Sequence, residues 1–142
     1  MRFIMAYSGY LIKVGPSTNL YEIPLSIIRA ETYTVFKSVT DLDSYVDADG
    51  YLHRNALDHI ANKVEFETVP LLTNTQFTTL MSNIQSRMTN ALERKVSVTL
   101  YIPETDSYVT QDMYMPDIKP TIYYADANKI QYNQIRLAFI GY

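Results

Sequence analysis

Glu65 and Glu67 alternate on what reads as a single strand, so both carboxylates share one face and stand about 7 Å apart by the strand rise. That separation suits an inverting glycosidase, in which one carboxyl group protonates the leaving oxygen while the other activates water. A Glu-x-Glu pair is equally what the solvent face of an ordinary strand carries. A second candidate is the acidic loop 41–52, where Asp41, Asp43, Asp47 and Asp49 precede Gly50. An EF-hand calcium loop needs an acid at its first position, Gly at its sixth and Glu at its twelfth. Setting Gly50 at the sixth position puts Tyr45 first and Ala56 twelfth, so two required ligands are missing. The two histidines, His53 and His59, are separated by a stretch holding Arg54 and Asp58. Two imidazoles and a carboxylate would suit zinc or non-haem iron, but no H-E-x-x-H or H-x-D spacing fixes such a site. Ser8 lies in Tyr7-Ser-Gly-Tyr10 without a G-x-S-x-G elbow, and no glycine cluster precedes a helix to cradle phosphate. The expectation is therefore no enzyme, no catalytic residue, no metal and no cofactor.

Composition narrows the classes further. The chain has 142 residues, 47% hydrophobic and 19% charged, a length and balance that predict one globular domain over 1–142. Twelve basic against fifteen acidic side chains leave a net charge of −3. That argues against sequence-independent nucleic-acid binding, which needs a positive field. The absence of cysteine removes disulfides, Cys-based zinc sites and thiol nucleophiles together. No apolar run reaches the ~18–20 residues needed to cross a bilayer. The opening Met1–Ser8 is too short and too polar for a secretory signal, so a soluble, non-exported chain is expected.

The elements that must position these residues are mainly strands. Thirteen tyrosines with no tryptophan, and many threonines, favour β-structure. Residues 7–14 read as a first strand, stopped by Gly15-Pro16-Ser17-Thr18-Asn19, and 27–39 as a second, longer one. Both look long and weakly defended as sheet edges. Over 63–70, Val64, Phe66 and Thr68 alternate with Lys63, Glu65 and Glu67, which marks a half-buried strand. Phe77, Leu80, Met81, Ile84 and Met88 then form one helical stripe. Thr73 and Gln76 sit at capping-box spacing at its start, giving a helix at about residues 74–90. Four strand signals follow as a meander: 95–102, 108–115, 118–124 and 130–140. Tyr101, Tyr108, Tyr114, Tyr123, Tyr124, Tyr132 and Tyr142 crowd that meander, as core and rim or as a large subunit interface. The predicted fold class is mostly β (α+β), an antiparallel β-sandwich or barrel with one flanking amphipathic helix.

Several of these segments, in this order, carry a resemblance. They are Asp47-Ala-Asp49-Gly50-Tyr-Leu-His53-Arg54, Lys63-Val-Glu65-Phe66-Glu-Thr, Leu71-Leu-Thr-x-x-Gln-Phe-x-x-Leu80, Asp106-Ser-Tyr108-Val-Thr110 and Met113-Tyr114-Met-Pro-Asp117. Over about residues 25 to 140 the chain resembles a family of small uncharacterised prophage proteins. More broadly it resembles the tail-tube group of bacteriophage proteins, including tail tubes and the distal-tail adaptors at the hub between tube and baseplate. The resemblance implies a structural virion protein, assembled in the host cytoplasm and residing in the tail. It implies a homo-hexameric ring whose partners are further copies of itself and other tail proteins: tube, tape measure, and baseplate or tail tip. DNA would pass the ring without specific binding, and no membrane would be involved. Residues 1–25 would supply the first strand and an assembly arm, and loop 41–52 a docking arm. Asp47, Asp49, His53, Arg54, Tyr33, Tyr132 and Arg136 are the expected oligomer-interface residues. A head-to-tail connector or tube terminator is an alternative role. Others are a host-surface or carbohydrate-binding module using exposed tyrosines, and a small hydrolase built on Glu65 and Glu67.

Overall fold

The computed structural model describes residues 6–38, 45–53 and 61–142. In chain order, β1 (Ile12–Val14) and β2 (Tyr21–Glu22) form a hairpin, and a single 3₁₀ turn at Ala30–Thr32 leads into β3 (Thr34–Ser38). Among the described residues β4 (Tyr45–Val46) and β5 (Leu52–His53) form a separate two-stranded antiparallel pair. β6 (Ala61–Glu67) and β7 (Leu72–Thr73) precede helix α1 (Asn74–Gln85). β8 (Lys95–Ile102), β9 (Ser107–Tyr114), β10 (Ile122–Ala125), β11 (Ile130–Tyr132) and β12 (Arg136–Gly141) complete the chain. The main sheet has the order β2-β1-β8-β9-β12-β6-β3, with every neighbouring pair antiparallel. A smaller antiparallel sheet runs β10-β11-β7. The fold is thus mostly antiparallel β with one α-helix among the described residues, and neither sheet closes into a barrel.

Period-2 alternation builds the core. Ile12 and Val14, Val96 to Ile102 at every second residue, Val64 and Phe66, and Leu137 and Phe139 all point inward. The register sets Val96 opposite Met113, Phe66 opposite Leu137 and Val64 opposite Phe139, so each inward residue meets another across the ladder. Leu80, Met81 and Ile84 of α1 join this cluster from the helix. Each fully buried aliphatic or aromatic side chain of this kind contributes about 1.5–3 kcal/mol relative to leaving it in water.

Four expectations about the elements change. Only Ile12–Val14 of the first strand is in the sheet, and it lies between β2 and β8 rather than at an edge. Residues before it give their backbone groups to side chains instead: the Tyr7 N–H donates to Asp106 Oδ1 and the Ser8 N–H to the Tyr108 hydroxyl. The second strand breaks because the Arg29 carbonyl is taken by the Thr32 N–H and hydroxyl, closing the 3₁₀ turn. β3 nevertheless is an edge of the main sheet. The helix stops at Gln85 because the next bonds tighten to i→i+3, from Arg87 N–H to the Ile84 carbonyl and Met88 N–H to that of Gln85. The predicted meander splits: β8 and β9 form the hairpin, β10 and β11 leave for the small sheet, and β12 returns between β9 and β6. Pro116 and Pro120 lie in the stretch between β9 and β10, and neither can donate to a ladder.

Tyr33 shows how far the main sheet coils. It stands just before β3, yet its hydroxyl donates to the Tyr101 carbonyl on β8 at 2.7 Å. The β3 end of the sheet is thus tied to the interior strand β8 by a side chain rather than by a ladder.

Candidate subunit interface

The acidic loop is a tight hairpin over its described residues, 45–53. Asp47 organises it: Oδ1 accepts the N–H groups of Asp49 and Tyr51, both at 3.0 Å, and Oδ2 lies 2.6 Å from His53 Nε2. Gly50 takes φ +88°, which the turn requires and a side chain would strain. Tyr45 stacks on His53 with ring centroids 4.8 Å apart. The hydrogen bond from His53, followed by that from the Tyr51 backbone, holds the Asp47 carboxyl below its ordinary value. Asp47, Asp49 and His53 therefore come together. Asp49 contributes through its backbone, while its side chain is exposed. Tyr45, Val46, Tyr51 and Leu52 are exposed on the same hairpin, Tyr51 at 70%. Arg54, Asp41, Asp43 and His59 lie outside the described residues.

On the solvent face of β3, β6 and β12 the charges are compensated within the protomer. Arg136 pairs with Glu65, and Lys63 stands 3.9 Å from the same carboxylate. Arg29 pairs with Glu31 and approaches Glu67 at 3.9 Å. Thr32, Glu65, Phe66, Glu67 and Arg136 line a shallow pocket of about 80 Å³. The two glutamates thus share a face, as their spacing predicts, with their carboxylates turned to cations. Phe36 is exposed beside them on β3, the edge strand among the described residues.

Tyr33 and Tyr132 are partly buried against the protomer's own core. Tyr33 is largely buried, and that burial pushes its phenol well above the ordinary tyrosine value. Tyr132 pairs opposite Leu72 in the small sheet and packs against Phe77 of α1 at 5.2 Å between centroids. A tyrosine cluster covers the β8–β9 hairpin, where Tyr10 stacks on Tyr108 at 4.4 Å and Tyr101 meets both Tyr7 and Tyr108 edge-on. The Tyr101 hydroxyl donates to Asp106, which raises its pKa.

Of the tyrosines singled out in the sequence, Tyr123 and Tyr124 lie on β10, whose four residues are all exposed, with Tyr123 at 65%. Among the described residues, no group of three or more His, Asp or Glu side chains is placed to hold a metal ion. No described helix is long and apolar enough to cross a membrane.

Comparison with known proteins adds three findings. The model of DUF6711, described as a family of unknown function, matches residues 5–142. No curated protein matches the chain. Among solved structures, a chain from the tail of an empty gene transfer agent particle, computed with helical refinement and C6 symmetry, is similar with a TM-score of 0.55. The two are 13% identical over 96% of this chain and 95% of that one. A chain from the virion of the native gene transfer agent particle is similar at TM-score 0.50, again 13% identical over 96% and 95%. At that identity the likeness is one of fold.

Proposed function

The chain belongs to the DUF6711 family, and we propose that it is a structural protein of a bacteriophage-type tail. In this reading it forms a homo-hexameric ring around the DNA channel, as a subunit of the tail tube or of the adaptor between tube and baseplate. The observation that carries the reading is the fold likeness, over 96% of this chain, to a chain of a C6-symmetric tail. A ring subunit needs two different surfaces that fit each other across a rotation axis, and the chain offers several exposed edges and apolar patches. The β4–β5 hairpin, with its four exposed apolar residues, is suited to dock on a neighbouring ring. A channel that lets DNA pass must not hold phosphates, and a net charge of −3 agrees with that requirement.

The reading assigns no catalytic step. Glu65 and Glu67 serve as ion-pair partners of Arg136, Lys63 and Arg29. The test is a compositional one: purify intact particles from the phage or prophage encoding the chain and quantify it by mass spectrometry. Copies in a multiple of six per particle, retained in detached tails, are expected. A chain found only outside the particles contradicts the proposal.

A further inference from the structure

The chain's 27 charged side chains are distributed unevenly. There is no Asp, Glu, Lys or Arg between Glu67 and Arg87, between Lys119 and Asp126, or between Lys129 and Arg136. These three stretches are far apart in sequence and fold together. They hold β7 with α1, β10 and β11, which form the small sheet and the helix that leaves it. Leu72 pairs opposite Tyr132, Tyr132 opposite Ile122, and the Ile130 N–H donates to Asn74 Oδ1 at 3.2 Å. The outward positions of the helix are uncharged Thr, Gln and Ser, including Thr75, Thr79 and Ser82.

A solvated surface is normally about 25–35% charged. Depletion of charge together with exposed aromatics marks the centre of an interface. Ile122, Tyr123 and Tyr124 are 57%, 65% and 45% exposed on β10, which is the open edge of its sheet. Leu71, 45% exposed beside β7, holds φ +66°, a left-handed conformation that is costly for a bulky side chain.

We infer that this face, uncharged outside the β10–β11 turn where Asp126 sits beside Lys129 and accepts the Tyr124 hydroxyl, and running from the β10 edge across β11 and β7 to the outer side of α1, is the contact surface for a second copy of the chain. An uncharged face excludes any partner surface with unpaired charge, because docking would bury that charge without compensation. The protomer itself presents the matching surface. On the β3–β6–β12 face Lys63 and Arg136 are already paired with Glu65, and Arg29 with Glu31 and Glu67, next to exposed Phe36 on β3, an edge strand among the described residues. Joining two different patches makes the contact heterologous, the type that generates rings. The inference rests on the ring-forming reading above and says which surfaces close the ring.

The test compares the full chain with Tyr123→Lys, Thr79→Lys and, as an exposed control outside the face, Leu92→Lys. Protomer melting is followed by circular dichroism and assembly by sedimentation. Tyr123→Lys and Thr79→Lys should melt as wild type yet need about tenfold or more higher concentration to assemble, because each buries an unpaired ammonium. Leu92→Lys should assemble normally. Since the chain has no cysteine, a Tyr123→Cys chain mixed with a Phe36→Cys chain should be joined by a short bis-maleimide. Wild-type assembly with an unaffected Tyr123→Lys overturns the surface and leaves the ring reading standing. A wild type that never associates overturns both. Cross-linking of Tyr123→Cys chains to one another, and not to the Phe36→Cys chain, assigns a different pairing of surfaces and overturns the inference.

Discussion

Thr68 makes two bonds to one neighbour: its N–H donates to the Ile135 carbonyl and its hydroxyl accepts the Ile135 N–H, each at 2.9 Å. The side chain is fully buried, so Thr68→Val keeps the shape and orphans a buried N–H. A loss of about 1–3 kcal/mol in unfolding free energy is expected, read as a lower urea midpoint. Tyr33→Phe removes the bond that ties the β3 end of the main sheet to β8 and should cost about 0.5–1.5 kcal/mol. Because burial raises the Tyr33 value in the folded chain, its contribution is fully present below the ordinary tyrosine range and is lost as pH rises through the folded value. An ultraviolet titration of folded wild type and Tyr33→Phe should therefore count the same number of ionising tyrosines until unfolding begins. At Asp47 the sign is reversed. Its value is lowered, so its grip on the hairpin is present above the ordinary aspartate value near 3.8 and is lost as pH falls through the lower folded value. Amide exchange at Asp49 and Tyr51 should accelerate only in that acid range, and a hairpin indifferent to acid would contradict the role. The Asp49-Gly50 turn is legible in the sequence because its bonds are local. The Tyr33 bond is not, because it joins residues 68 positions apart and depends on how far the sheet coils.

At the scale of elements, α1 starts where its residues say it should. Thr73 Oγ1 accepts the Gln76 N–H and Gln76 Oε1 accepts the Thr73 N–H, a complete capping box. Thr73→Ala should cost about 1 kcal/mol, and Leu80→Ala, which opens a hole at a fully buried position, about 2–5 kcal/mol. Thermal melts rank the two, and a Leu80→Ala loss no larger than that of Thr73→Ala would remove the helix from the core. The stripe from Phe77 to Ile84 and the alternation over 63–68 and 95–102 are legible because burial imposes their periods directly. The helix end and the split of 27–39 depend on individual turns that override the local pattern. Arg87 leaves the helix to bond Asn19 through its carbonyl at 2.9 Å and its side chain at 3.1 Å. Gly15, at φ +108°, lies so close that a Cβ there would sit 2.6 Å from the Asn19 carbonyl oxygen. The departure of β10 and β11 to a second sheet is hidden for a different reason: alternation shows which residues face inward but not which strand lies alongside.

For the whole molecule, the distribution of charge matters more than its total. The charge-free face is spelled out in three uncharged runs of sequence, yet only the fold brings them together. If that face closes the ring against a self-compensated one, assembly should change little as salt rises, because no unpaired surface charges meet across the contact. Sedimentation in low and high sodium chloride checks this, and dissociation by salt would point to ion pairs between subunits instead. The central claim, that copies of this chain form a ring, is tested most directly by native mass measurement with negative-stain imaging of the purified full chain over a concentration series. The account predicts closed rings at six times the 16.4 kDa protomer mass, or tubes of stacked rings at the highest concentrations. A compact monomer at every concentration would contradict it.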